Sequence, residues 1–218
     1  MGLKIKICGI TNAADAMAAI AAGADALGFL FYEQSPRNVS IPSVAKIARG
    51  LPPFVSLVGV FVDPTEELIA EAQVECGLDA LQFHGQESPA FCERFATHKV
   101  IKSFRIQDAE SLRDLPAYQT AAWLLDSHVA GQLGGTGTQF NWDLAYEAGK
   151  LGRPIILAGG LTVKNVAEAV RKVQPYAVDV STGVESAPGK KDPGKLREFI
   201  TAARKVDPPD RELPKTAG

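Results

Sequence analysis

The chain has 218 residues, 46% of them apolar and 22% charged, with a formal net charge of -2. That size suits one large domain, and mixed charges of both signs offer no basic face for nucleic acid. No apolar run is long enough to span a bilayer, the N-terminus lacks a signal-peptide pattern, and three cysteines are too few for a disulfide framework. A reducing cytoplasm is the expected location.

Leu3, Ile5 and Ile7 alternate at period two and predict a strand that delivers Cys8 at its carboxyl end. Asn12 is placed to cap the Ala-rich helix from Ala13 to Ala22, which Gly23 ends. Residues 25–31 (DALGFLF) read as a buried second strand, followed by helical material over 42–49. VSLVGVFV at 55–62 is the third strand, and Asp63-Pro64-Thr65 opens a helix to about Glu75. The fourth strand is LDALQFHG at 78–85, and Ser88-Pro89 starts the next helix. VIKSF at 100–104 is the fifth, with a short polar helix expected near 108–114. AAWLLDS at 121–127 is the sixth, after which Asn141 opens a helix. PIILAGG at 154–160 is the seventh, with Thr162 expected to cap a helix to about Val173. YAVDVSTG at 176–183 is the eighth, and Lys195 to Lys205 forms a last amphipathic helix.

Eight strand-then-helix units with strands apolar on both faces predict an α/β fold, a single closed (β/α)8 TIM barrel over residues 1–206. An open sheet would need polar edge strands, and none of the eight reads as one. Residues 207–218, DPPDRELPKTAG, read as a loose polar tail.

In such a barrel the carboxyl ends of the strands carry the chemistry. They deliver Cys8, the loop YEQSPRNVS with Arg37, His84, Asp126, Gly159 with Gly160, and Asp179, Ser181 and Gly183. Cys8 is a candidate reactive thiol, although a buried cysteine is often inert core. Gly159, Gly160, Ser181 and Gly183 end strands seven and eight, where backbone N–H groups often hold a phosphate; alternatively these glycines only make turns. Arg37 can clamp a carboxylate or pair with a surface glutamate. His84 lines the site or is a satisfied core histidine. Asp179 and Gly135 are further site-lining candidates, Gly135 from the Gly-rich loop 134–137, which reads as a lid or a solvent turn. Cys76 and Cys92 fall within helices and read as packing residues. With no CxxC, no HExxH and three dispersed histidines, no metal site is expected.

The segments KICGIT, GFLFYEQSPRNVS, VGVFV, LQFHG, LLDS, GGTGTQFNW, ILAGGL and DVSTGVE, in this order from about Lys4 to Lys205, together closely resemble the phosphoribosylanthranilate isomerase family of tryptophan biosynthesis. The resemblance implies a (β/α)8 barrel that needs no metal or organic cofactor and acts on a small phosphorylated substrate. The implied reaction is an Amadori rearrangement of N-(5-phosphoribosyl)anthranilate, with Cys8 as general base, Asp126 as general acid and Arg37 on the anthranilate carboxylate. Thr182 stands where the family pattern leads one to expect a second serine, and the tail beyond Val206 has no counterpart in it. A metal-dependent pentose-phosphate epimerase would need several His and Asp ligands at strand ends, and a histidine-pathway isomerase would carry Asp in place of Cys8. A phosphosugar-binding barrel without catalysis is a third reading, against which Cys8 and Asp126 count. Monomer and homodimer are both compatible with the sequence.

Overall fold

The computed structural model describes residues 2–126 and 142–206. Gly135 and its loop, Asn141, and the tail 207–218 lie outside the described residues.

Eight parallel strands close into a barrel in sequence order. They are β1 (Lys4–Cys8), β2 (Ala26–Leu30), β3 (Ser56–Phe61), β4 (Ala80–Phe83), β5 (Lys99–Arg105), β6 (Ala122–Asp126), β7 (Ile155–Leu157) and β8 (Ala177–Val180). Outside them run α1 (Ala13–Ala22), α2 (Ile41–Ala48), α3 (Glu66–Cys76), α4 (Pro89–Glu93), α5 (Trp142–Gly149), α6 (Val166–Val173) and α7 (Pro193–Arg204).

The local signals explain most helix starts. Asn12 Oδ1 accepts the Asp15 N–H, Thr65 caps α3 through the Leu68 N–H, and Ser88 caps α4 through the Phe91 N–H. Gly23 leaves α1 at φ 103, in the left-handed region that glycine enters without a Cβ clash. Two expectations differ in detail, and one element is additional. The Thr162 side chain caps no N–H of α6, which starts four residues later; the Thr162 carbonyl accepts the Val166 N–H, and the Asn165 side chain turns back to accept the Thr162 N–H and donate to the Gly160 carbonyl. The short polar helix expected near 108–114 is a 3₁₀ turn, Glu110–Leu112, followed by a second, Leu115–Ala117; Pro116 lacks the N–H with which a continuous helix would bond back to Leu112. A small antiparallel hairpin, β9 (Glu185–Ala187) with β10 (Lys190–Lys191), follows β8 and was not expected. Its turn uses Gly189 at φ 74.

Strand parity sorts the side chains into two cores. The outward set (Ile5, Ile7, Phe29, Phe61, Leu81, Phe83, Leu125, Leu157 and their neighbours) packs against the helices. The inward set at the amino end is also apolar, with Val58, Ala80, Ile101, Ala122, Leu124, Ile156 and Ala177 filling the barrel. Continuing the same parity toward the carboxyl end gives Lys6 and Cys8, Gln82, Ser103, Asp126 and Asp179. The barrel is apolar at its floor and polar at its mouth.

Candidate active site

Cys8 is the last residue of β1 and is only 7% exposed. It shares its inward face with Lys6, two residues earlier, and both lie against the bare Cα of Gly28 on β2. A Cβ on Gly28 would stand 2.8 Å from Cys8 Sγ and 3.1 Å from Lys6 Nζ, so no larger residue fits without displacing them. Lys6 Nζ donates to Asp179 Oδ1 at 2.9 Å, and both side chains are buried. Burial pulls the Lys6 ammonium toward deprotonation, but Asp179 and the adjacent thiol reverse this and hold its pKa above the usual lysine value. For Cys8 the order is different. Burial pushes the thiol up and Asp179 pushes the same way, while Lys6 and Lys191 pull it down without cancelling the rise.

A second network adjoins the thiol. Arg37 donates through Nε and Nη2 to the two carboxylate oxygens of Glu185 at 2.8 and 2.7 Å. Lys191 Nζ reaches Glu185 Oε1 at 2.8 Å, and the Ser181 carbonyl and hydroxyl at longer range. Arg37 therefore does pair with a glutamate, as one reading held, but with one only 8% exposed on the inner hairpin. Burial raises the Glu185 carboxyl, and the Arg37 and Lys191 hydrogen bonds outweigh it, leaving the group below the usual glutamate range. Gly9, at φ 76, completes the packing: a Cβ there would meet Arg37 Cδ at 2.6 Å and Ser181 Oγ at 3.0 Å.

Across the mouth, Asp126 ends β6, and its Oδ2 lies 3.4 Å from His84 Nε2. His84 Nδ1 lies 3.0 Å from the amide nitrogen of the buried Gln82. His84 is thus a lining residue, not a core histidine. It borders a cavity of about 450 Å³ together with Ser103, Arg105, Tyr118 and Asp126. Lys102 also reaches this cavity, but its three hydrogen bonds go to the carbonyls of Phe83, Gly85 and Ser103. That leaves Glu87 Oε2, 3.1 Å away, with the ammonium's charge and no aligned hydrogen bond.

At the third side, Gly159 and Gly160 follow β7 with φ 79 and 62, left-handed conformations that glycine enters without a Cβ clash. Ser181 precedes a 3₁₀ turn, Thr182–Val184. A Cβ on Gly183 would overlap the Leu161 carbonyl, so the loops after β7 and β8 touch here, backbone to backbone. Cys76 and Cys92 are buried in α3 and α4, and burial holds the Cys92 thiol up at about 11. They are packing residues. Among the described residues no three His, Cys, Asp or Glu side chains gather as metal ligands.

Sequence reasoning missed Lys6, Gly28, Glu185 and Lys191. Lys6 had a legible signal: a lysine on the same strand face as the candidate thiol, in a barrel whose interior is otherwise apolar. Glu185 and Lys191 had none, because their meeting depends on the hairpin.

Such a gathering of polar groups at one rim places the protein among the (β/α)8 barrel enzymes, whose chemistry is held at the carboxyl ends of the strands. The family model for N-(5'-phosphoribosyl)anthranilate (PRA) isomerase matches residues 5–202. Two similar relatives, both N-(5'-phosphoribosyl)anthranilate isomerases, come from Geotalea daltonii and Citrifermentans bemidjiense. The first is 54% identical over 201 residues, covering 92% of this chain and 96% of that protein. The second is 52% identical over 203 residues, covering 93% and 98%. The crystal structure of phosphoribosyl anthranilate isomerase from Thermotoga maritima is 39% identical, with a TM-score of 0.88, and covers 93% of this chain and 99% of its own. Another crystal structure of phosphoribosyl anthranilate isomerase, in complex with reduced 1-(o-carboxyphenylamino)-1-deoxyribulose 5-phosphate, aligns with a TM-score of 0.85 at 38% identity, with the same coverage. The chain belongs to the N-(5'-phosphoribosyl)anthranilate isomerase family.

Proposed function

We infer that the chain catalyses the Amadori rearrangement of N-(5-phosphoribosyl)anthranilate to 1-(2-carboxyphenylamino)-1-deoxyribulose 5-phosphate in tryptophan biosynthesis. The observation that carries this reading is the family membership together with a thiol and a carboxylate ending β1 and β6 on opposite sides of one mouth.

The roles follow from what each step requires. Ring opening needs a proton on the ribose ring oxygen, which Asp126 gives as its carboxylic acid. The iminium so formed has an acidified C2′ proton, which the Cys8 thiolate takes. The resulting enolamine tautomerises to the ketone. Asp126 is held toward the mouth by His84. The substrate phosphate lies on the backbone of the loops carrying Gly159, Gly160, Ser181 and Gly183. Arg37 holds the anthranilate carboxylate, and its geometry here refines that role. Glu185 takes the Nε and one Nη2 hydrogen, so the substrate carboxylate is met by the remaining Nη1 and Nη2 hydrogens at the end of the fork. No step calls for a metal or organic cofactor.

The Thermotoga maritima isomerase is dimeric, and a homodimer is the corresponding reading for this chain; sedimentation at micromolar concentration separates it from a monomer. A cytoplasmic location fits three unpaired cysteines. Among the described residues no helix is long and apolar enough to cross a membrane.

Loss of the substrate's fluorescence on adding purified protein, with the ketose product identified by mass, tests the activity. Absence of turnover, with the fold intact by circular dichroism, refutes it.

A further inference from the structure

We propose that Lys6 is a positioning residue for the Cys8 thiolate, its ammonium lying beside the sulfur as counter-ion, with Asp179 limiting how strongly it acts. The proposal rests on the reading of Cys8 as the base and adds what lowers the cost of ionising that base.

Lys6 and Cys8 lie on one face of β1 and meet over Gly28, where one missing Cβ leaves room for both. Lys6 is 4% exposed, and its ammonium donates to Asp179 Oδ1 at 2.9 Å. As a purely structural device this pair is a poor choice. The barrel beneath is apolar, and replacing a buried ion pair by packed apolar side chains is often neutral or stabilising. Its position explains it better. Four charged groups act on or adjoin the thiol: Lys6 from β1, Asp179 from β8, Lys191 from β10, and Arg37 from the loop after β2. With Glu185, which binds Arg37 and Lys191, there are three cations and two carboxylates, 3 - 2 = +1. The thiolate neutralises that excess and the thiol does not.

The test is the pH dependence of Cys8 alkylation by iodoacetamide, followed by mass spectrometry of the Cys8 peptide so that Cys76 and Cys92 are counted separately. Lys6→Met should raise the midpoint by about one pH unit or more, because an opposite charge within about 4–6 Å moves a pKa by roughly that much. Lys6→Met leaves Asp179 buried without its cation, so the double variant Lys6→Met/Asp179→Asn keeps the core neutral and should show a smaller rise, since the raising influence of Asp179 is removed as well. Asp179→Asn alone should lower the midpoint, and Lys6→Arg should stay close to wild type. An unchanged midpoint in the folded double variant, or the same direction of shift in Lys6→Met and Asp179→Asn, overturns the proposal. The rising limb of the kcat/KM pH profile should move with the alkylation midpoint. If alkylation shifts and that limb does not, the Lys6 effect on the thiol stands and the assignment of Cys8 as base falls.

Discussion

Glu185 is the residue on which the Arg37 side of the site depends, and Glu185→Gln tests that dependence. The carboxylate accepts three charge-assisted hydrogen bonds, two from Arg37 and one from Lys191, at 2.7 to 2.8 Å, and is 8% exposed. Removing one partner of a buried ion pair costs roughly 3–5 kcal/mol, because the remaining charge is left desolvated. Glutamine keeps one acceptor oxygen but turns an NH₂ toward the second cation. Burial already holds Lys191 below the ordinary lysine range, so that side chain can shed its proton and absorb part of the loss. The expected destabilisation is therefore near the lower end, about 3 kcal/mol, read as a lower urea midpoint at unchanged slope. The pH dependence has a definite sign. The carboxyl is depressed in the folded state, so its contribution is full above the unfolded value of about 4.3 and is lost as pH falls through the lower folded value. The gap between wild type and Glu185→Gln should thus be wide at pH 7 and narrow in acid. Arg37 loses its orientation as well, so KM should rise more than kcat falls. Equal urea midpoints at pH 7 and an unchanged KM would refute the reasoning.

Three further outcomes are expected. Gly183→Ala drives a methyl group into the Leu161 carbonyl and parts the two phosphate loops; KM for the phosphorylated substrate should rise about tenfold, some 1.4 kcal/mol, and an unchanged KM removes the phosphate from this place. Arg37→Lys keeps the charge but loses the planar fork, so discrimination against a substrate analogue lacking the carboxylate should collapse; retained discrimination would make Arg37 structural only. Since burial outweighs Lys6 in setting the Cys8 thiol, the rising limb of kcat/KM should lie on the alkaline side of the ordinary cysteine value, about 8.5, and a midpoint well below that contradicts the buried geometry.

The barrel itself was legible because each strand is an apolar run bounded by turn residues, and because Asn12, Gly23, Thr65 and Ser88 stand where a helix end needs a residue of their type. The same logic misplaced the start of α6. Thr162 is a good cap by type, but Asn165 offers an amide that binds backward to two groups three and five residues earlier, a competing local choice that the reading did not weigh. The turns around Pro116 could have been read from the proline. Cys8, His84, Asp126 and Asp179 were found by placing them at strand ends, a rule of topology. The partners of Arg37 were hidden, since Glu185 is 148 residues away and reaches the arginine only through a hairpin of five residues in two short strands. Lys6 was passed over because its strand was read for its apolar alternation; its parity with Cys8 was in plain view.

The central claim, that the Cys8 thiolate removes the C2′ proton while Asp126 supplies the ring-oxygen proton, is tested most directly with substrate deuterated at C2′. Wild type should show a primary isotope effect on kcat under conditions where chemistry limits. Cys8→Ser should lose about 10²–10⁴-fold in kcat while still binding a reduced product analogue, the usual contribution of one general acid–base group. Asp126→Asn should lose a comparable factor with binding retained. Near-wild-type turnover of the deuterated substrate by Cys8→Ser would contradict the account.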